Sequence, residues 1–280
     1  MCIAICKPKD VIIKKRVLKT CFENNPHGAG MAYPSKDGSK VIIDKGYFHF
    51  RAFWKKFQAV QENKPMLIHF RVATSGVIDK TNCHPWRINA QHALIHNGNV
   101  ASKIGLDSDE FSDTGLFVQH LLKPAFSKNT EFWKTEGWKW TIERAIGDSN
   151  KIAIIDNNGI IKIFNEEKGE KEHGVWFSND TYKNARKSIA KIGDSWIEYK
   201  NGKKVLARRK GNVINYYPVK NPLTNEKDIN DKIMKFAHNC CATIAPKTLD
   251  ELRTEEDAEF ALSENESDYN ASEVDVTQMI

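Results

Sequence analysis

Cys2 is the residue with the most chemistry to offer. A residue this small after the initiator methionine allows that methionine to be trimmed, which places a thiol and an α-amine on one residue. An α-amine titrates at about 7.7–8.0, so part of it is neutral near neutral pH and able to act as a base. Activation of a cysteine or threonine nucleophile by its own terminal amine is an established arrangement. Further along, His69-Phe70-Arg71-Val72-Ala73-Thr74-Ser75-Gly76 closes an apolar run with an arginine, a hydroxyl and a glycine. The planar fork of Arg71 suits a carboxylate held by two hydrogen bonds. His96-Asn97-Gly98-Asn99 ends another apolar run. A side-chain amide beside a glycine N–H suits a developing oxyanion, and one such donor is worth about 3 kcal/mol in comparable sites. Asp113, at the mouth of an expected helix, could hold an ammonium.

These groups together describe a site for a free amino acid. Its carboxylate would meet Arg71 and its α-amine Asp113, with a side-chain carbonyl facing Cys2, Asn97 and Gly98. Each group alone has a plainer reading. Cys2 could be a small buried hydrophobe in an edge strand, Arg71 a salt-bridged surface residue, Asn97-Gly98 a hairpin turn and Asp113 a cap. A zinc site is disfavoured. Cys2 and Cys6, four apart on a strand, would stand about 13 Å from each other. Such sites favour two pairs of ligands, each spaced by two to four residues; Cys83 and His84 are adjacent, and Cys240 and Cys241, near His238, read as packing residues. His27, His69 and His84 read as structural hydrogen-bonding residues around the pocket.

Taken in order, the motifs resemble the class II glutamine amidotransferase domain, whose members are N-terminal-nucleophile hydrolases. They run from Cys2-Ile3-Ala4 through His27-Gly28-Ala29-Gly30-Met31-Ala32 to the segment 69–76. Asn82-Cys83-His84-Pro85, Ala93-Leu94-Ile95-His96-Asn97-Gly98-Asn99, Ser112-Asp113-Thr114 and Trp176-Phe177-Ser178-Asn179 complete the series, over about residues 1–190. The resemblance implies an α+β fold, a four-layer αββα sandwich of two antiparallel sheets covered by helices. It also implies glutaminase chemistry, in which L-glutamine becomes glutamate and ammonia through a thioester on Cys2. The Cys2 amine would be the base, and Asn97 and Gly98 the oxyanion hole. Arg71 would bind the glutamine carboxylate and Asp113 its α-amine, with Thr74 and Gly76 lining the pocket and no cofactor or metal required. The interval from Gly98 to Asp113 is only 15 residues, shorter than the family pattern. Asp107 and Asp109 lie close enough to be alternatives to Asp113.

Positioning these residues requires strands that end at the site. Apolar runs predict strands at 2–6, 41–44, 66–72, 86–95 and 175–178, with a further strand leading from Gly28 toward Tyr33. Residues 151–164 read as a hairpin around Asn157-Asn158-Gly159. Phe53, Trp54, Phe57 and Val60 predict an amphipathic helix over 51–62, and Ser112 or Asp113 an N-cap. Further helices are expected over 136–145, 181–191 and 225–239, and a basic hairpin-like stretch over 195–218. Strands in blocks with hairpins point to antiparallel sheets instead of a parallel doubly wound one.

The chain has 280 residues and a net charge of +6, unevenly spread. Residues 250–280 carry eleven acids and only Arg253, a net of −10, which leaves +16 on residues 1–249. The expected organisation is an amidotransferase-like domain over 1–190, a basic extension over 191–249 packed on it, and an acidic, disordered tail over 250–280. The basic residues are scattered, which argues against specific nucleic-acid binding, although residues 203–210 with Tyr216 and Tyr217 could meet it. No run approaches a membrane span, the opening six residues are too short for a secretory signal, and six cysteines are too few for a disulfide scaffold. These features point to the cytoplasm. Residues 190–250 hold no pyrophosphate-binding or Gly-rich phosphate motif, so the expected ammonia acceptor is a separate synthase subunit. The competing expectation is a non-catalytic binding or regulatory protein that retains the fold.

Overall fold

The computed structural model describes residues 2–101, 105, 108–184, 195–200, 203–210, 213–219, 231–232 and 234–235. Two antiparallel sheets dominate residues 2–184. The larger contains β1 (Ile3–Lys7), β2 (Ala29–Pro34), β3 (Val41–Tyr47), β4 (Met66–Phe70), β9 (Glu170–Glu172) and β10 (Val175–Phe177), in the order β3-β2-β4-β1-β10-β9. The second contains β5 (Trp86–Arg87), β6 (His92–Asn97), β7 (Lys151–Asp156) and β8 (Ile161–Phe164), in chain order. A separate three-stranded sheet is formed by β11 (Ser195–Lys200), β12 (Lys203–Lys210) and β13 (Val213–Pro218).

Successive side chains of a strand point to opposite faces, and here both faces are buried. Ile3 and Ile5 of β1, with Met66, Ile68 and Phe70 of β4, join one cluster with α1 (Lys15–Asn24) and α2 (Phe50–Val60). Their neighbours Ala4, Cys6 and Leu67 join a second cluster with Ala93, Ile95, Ala153 and Ile155 of the other sheet. Leu94, Ile152 and Ile154 join a third, together with residues of α3 (Asp113–Phe117), the π-turn Val118–Leu122 and α5 (Glu136–Ile146). A shorter helix, α4 (Lys123–Lys128), adds Phe126 to that cluster. Alanines 4, 32, 93 and 153 all lie in the middle cluster, where small side chains let two sheets approach closely. Strands buried on both sides carry near-continuous apolar sequence, which is why β1, β4 and β7 were legible without strict alternation.

The expected helix over 51–62 is α2, with Phe53 and Phe57 buried on one side. The hairpin over 151–164 forms as β7 and β8, its turn closed by Asp156, whose carboxylate accepts from the N–H groups of Asn158 and Ile160. Ser112 is the N-cap of α3, its hydroxyl accepting from Gly115 N–H. Three expectations need correction. The run 86–95 is two strands, β5 and β6, because Asn89 breaks it: its side-chain oxygen accepts from Gln91 N–H and meets the His92 ring. Residues 15–24, for which no element was expected, form α1 around Leu18, Cys21 and Phe22. Residues 181–184, placed in a helix, are turns, held where Thr181 bonds Asn179.

The basic stretch 195–218 is three strands instead of a hairpin. Of the helix expected over 225–239, the four described residues are helical. The rest of it, Asp107, residues 185–194, His238, Cys240, Cys241 and the acidic segment 250–280 lie outside the described residues. Among the described residues no helix is long and apolar enough to cross a membrane.

Candidate active site

Strand register brings distant parts of the sequence to one end of the two sheets. Ile3 pairs with Phe70, so Cys2 lies beside Arg71 and Val72 just beyond β4. Ile5 pairs with Phe177, and the same antiparallel register continued carries Asn179 to the start of β1. Asn97 is the last residue of β6, opposite Lys151.

The Cys2 thiol is half-buried and sits on the peptide of Val72, its Sγ 3.2 Å from Val72 N and 3.3 Å from Val72 O. Burial pushes the thiol above its ordinary pKa, while the Val72 N–H and the Arg71 guanidinium pull it back down. Asp113 acts in the same direction as burial, because a nearby anion disfavours the thiolate. The Cys2 carbonyl accepts two side-chain amides, Asn97 Nδ2 at 2.6 Å and Asn179 Nδ2 at 2.8 Å. Asn179 Nδ2 also lies 3.4 Å from Asn97 Oδ1. A primary amide has two N–H donors, so Asn97 retains one after serving the Cys2 carbonyl.

Gly98 follows with φ +144, against the buried Asn150. Asn150 Oδ1 is 2.9 Å from His96 Nε2, Asn150 Nδ2 donates to Ile146 O, and His96 Nδ1 is 2.8 Å from Thr114 Oγ1. A buried polar network thereby fixes the end of β6 against α3.

Arg71 is buried and donates to Ser75 O at 2.7 Å and Val77 O at 2.8 Å, which folds residues 71–77 around its guanidinium. Arginine has five N–H donors, so others remain for a ligand. Desolvation lowers its pKa, offset by the nearby Cys2, Cys83, Asp79 and Asp113. Thr74 is exposed on this loop. Gly76, at φ +67, lies so close to Phe111 and Ser112 that a Cβ would meet their backbone at 2.6–2.7 Å. The Asp113 carboxylate accepts from Val100 N–H at 2.7 Å, Thr114 N–H at 2.8 Å and Ser75 hydroxyl at 3.3 Å. Asp109 instead faces Arg208 of β12 at 3.6 Å.

Cys2 and Asn97 are thus joined directly, and Arg71 and Asp113 both fall within electrostatic reach of the thiol. Thr74 and Gly76 belong to the loop between them, and Gly98 to the turn after Asn97. Of the expected structural histidines, His27 Nδ1 accepts from Ala73 N–H and His69 Nε2 meets His96 O. His84 departs from that expectation. Its ring packs 4.0 Å from that of His69, and neither ring nitrogen has a hydrogen-bond partner among the described residues. Burial holds it neutral, well below the ordinary histidine pKa.

Several residues of the site were not singled out by sequence. Asn82 donates to Val77 O and Glu110 O and accepts from Ser112 N–H, tying the arginine loop to the Asp113 loop. Ser75 and Asn179 were equally overlooked, although Ser75, Asn82 and Asn179 all stand in the motifs of the resemblance. Thr114 stands in the Ser112-Asp113-Thr114 motif but was given no role, and Asn150 carries no local signal, since its role depends on His96, 54 residues away.

No protein-family model and no curated protein sequence matches the chain. Among solved structures, it is similar to the glutamine phosphoribosylpyrophosphate amidotransferase from B. subtilis, determined in complex with ADP and GMP, with 13% sequence identity and a TM-score of 0.41. The match covers 78% of this chain and 49% of that one, so the chain spans about half the length of this structural neighbour, a glutamine amidotransferase.

Proposed function

We propose that the protein is a glutaminase-type amidohydrolase or amidotransferase that releases ammonia from L-glutamine through a thioester on Cys2. The observation that carries this reading is the meeting of residue 2 with Asn97, where the Cys2 carbonyl and the Asn97 amide are 2.6 Å apart at the end of both sheets. A half-buried thiol whose pKa is raised is a poor nucleophile unless a base stands next to it. With Met1 removed, the α-amine of Cys2 is that base.

In the proposed sequence the neutral amine takes the thiol proton, and sulfur attacks the side-chain amide carbon of glutamine. Charge grows on the oxygen facing the spare Asn97 N–H and Gly98. The protonated amine returns its proton to the departing ammonia. Water, deprotonated by the same amine, then cleaves the thioester to give glutamate and the free thiol. Spare N–H groups of Arg71 take the α-carboxylate, Asp113 takes the α-ammonium, and Thr74 and Gly76 border the pocket.

In the same reading residues 1–190 are the catalytic domain, and the three apolar clusters correspond to the interfaces of helix, sheet, sheet and helix layers. The basic extension, of which β11–β13 are described, is read as packing on that domain, a reading supported by the Arg208–Asp109 pair and the burial of Leu206 and Ala207. A separate subunit consumes the ammonia. The tethering of Arg71 and Asp113 to their own loops is what would favour a non-catalytic binding protein instead.

The deciding experiment combines intact mass, ammonia release and labelling by a glutamine analogue that carries an electrophile. The expected result is loss of Met1, label on Cys2, and no ammonia from Cys2→Ala despite an unchanged fold. Ammonia release that survives Cys2→Ala would overturn the mechanism. An unlabelled mature protein that releases no ammonia would leave the binding reading in its place.

A further inference from the structure

Once Met1 is removed, Cys2 becomes a chain end, and terminal residues fray unless something ties them down. Cys2 precedes the first paired residue of β1, so the strand ladder alone does not hold it. Its thiol rests on the Val72 peptide, and its carbonyl is held by two side-chain amides. Asn179 is the more fully committed of these. Its Nδ2 serves both Cys2 O and Asn97 Oδ1, and its Oδ1 accepts from Thr181 Oγ1 at 2.6 Å and Thr181 N–H at 3.1 Å. All four hydrogen-bonding positions of an asparagine side chain are therefore used. The link continues, because Thr181 O accepts from the buried Asn24 at the end of α1.

We infer that Asn179 is a positioning residue for the reactive end of the chain, an inference that rests on Cys2 being the nucleophile of glutamine hydrolysis. Pinning the Cys2 carbonyl restricts rotation of that residue, which decides where its amine and thiol point. The bond to Asn97 Oδ1 fixes which way the Asn97 amide faces, and so keeps its N–H groups toward Cys2 and the substrate. The hydrogen bonds of Asn179 go to Cys2 O, Asn97 Oδ1 and Thr181 and not to the Cys2 sulfur, so it acts through Cys2 and Asn97. An aspartate of the same shape would keep both Thr181 contacts while turning an anion toward two carbonyl oxygens.

The test uses the full-length mature protein and Asn179→Asp. Its kcat for ammonia release is expected to fall by at least about 10-fold with KM within about 3-fold, since groups acting on orientation are felt in the transition state. Alkylation of Cys2 by iodoacetamide, which needs no glutamine, should shift its pH midpoint upward by about half a unit or more. A loss of folded fraction alone would lower the amplitude without moving that midpoint. Should the aspartate variant not fold, Asn179→Ala, which removes the donors without adding charge, carries the same kcat comparison and should slow alkylation. Unchanged kcat and an unmoved alkylation profile overturn the inference. If wild-type Cys2 alkylates but no ammonia is released from glutamine, the glutamine reading falls, and the alkylation comparison by itself decides the role of Asn179.

Discussion

Gly98→Ala tests the architecture of the site with a magnitude the structure supplies. Gly98 has φ +144, a conformation that side chains rarely adopt, and forcing alanine there costs about 1–3 kcal/mol. The added Cβ would also overlap Asn150 Oδ1 and lie 2.8 Å from its Cγ and 2.9 Å from its Cα. Because the last of these is backbone, rotating the Asn150 side chain does not relieve the clash. Asn150 cannot move freely either, since it holds His96 and Ile146 O through its side chain and accepts from Asn165 Nδ2 at its carbonyl. Breaking the buried His96 contact adds about 1–3 kcal/mol.

The combined cost is about 2–6 kcal/mol, and a domain of this size loses about 2–4 °C in Tm for each kcal/mol. Thermal unfolding followed by circular dichroism should show Gly98→Ala melting about 5–20 °C below wild type. Gly38→Ala is the control, because Gly38 also has positive φ, at +67, but an added Cβ there meets nothing within 4 Å. A Gly98→Ala melting point within about 2 °C of the Gly38→Ala value would refute the close approach of Gly98 to Asn150. In the proposed reaction the same variant also displaces an oxyanion donor, so ammonia release should fall by about 100-fold.

Arg71→Lys leaves a point charge where a fork bridges Ser75 O and Val77 O and, in the proposed reaction, a carboxylate. The expected result is a KM for glutamine raised by about 10-fold or more with a smaller effect on kcat, and unchanged kinetics would remove Arg71 from the binding role. Acid sensitivity should follow from the buried histidines. His69 is held down to about 3 by burial, and His84 and His96 are shifted in the same direction for the same reason. These rings are neutral when folded but titrate near 6.5 when unfolded, so their contribution is complete above pH 6.5 and is lost as pH falls toward 3. His69 alone costs about 1.4 kcal/mol per pH unit below 6.5 and the other two act in the same direction, which predicts a Tm at pH 5 at least about 4 °C below that at pH 7.5. A flat profile between those values would show the rings to be accessible to protons in the folded state.

Cys2, Arg71, Asn97, Gly98 and Asp113 could be singled out from residue type and from what stands beside them, because nucleophiles, forks, amides and caps announce themselves locally. The strands that carry them were visible for the same reason: burial on both faces demands near-continuous apolar runs, as in Met66–Phe70 and residues 152–155. What the linear order could not show is partnership. The pairing of Ile3 with Phe70 and of Ile5 with Phe177 decides that residue 179 reaches residue 2, and a shift of one residue would have turned Asn179 to the other face. Asn150, 54 residues from His96, matters only because α5 and β7 bring it under Gly98. Helix α1 was overlooked because it is only ten residues long and opens on Lys15 and Arg16, and its place is set by packing of Leu18, Cys21 and Phe22 in the cluster on the larger sheet. Local chemistry is written in single residues and short periods, whereas the geometry of the site depends on strand register and close packing across the whole chain.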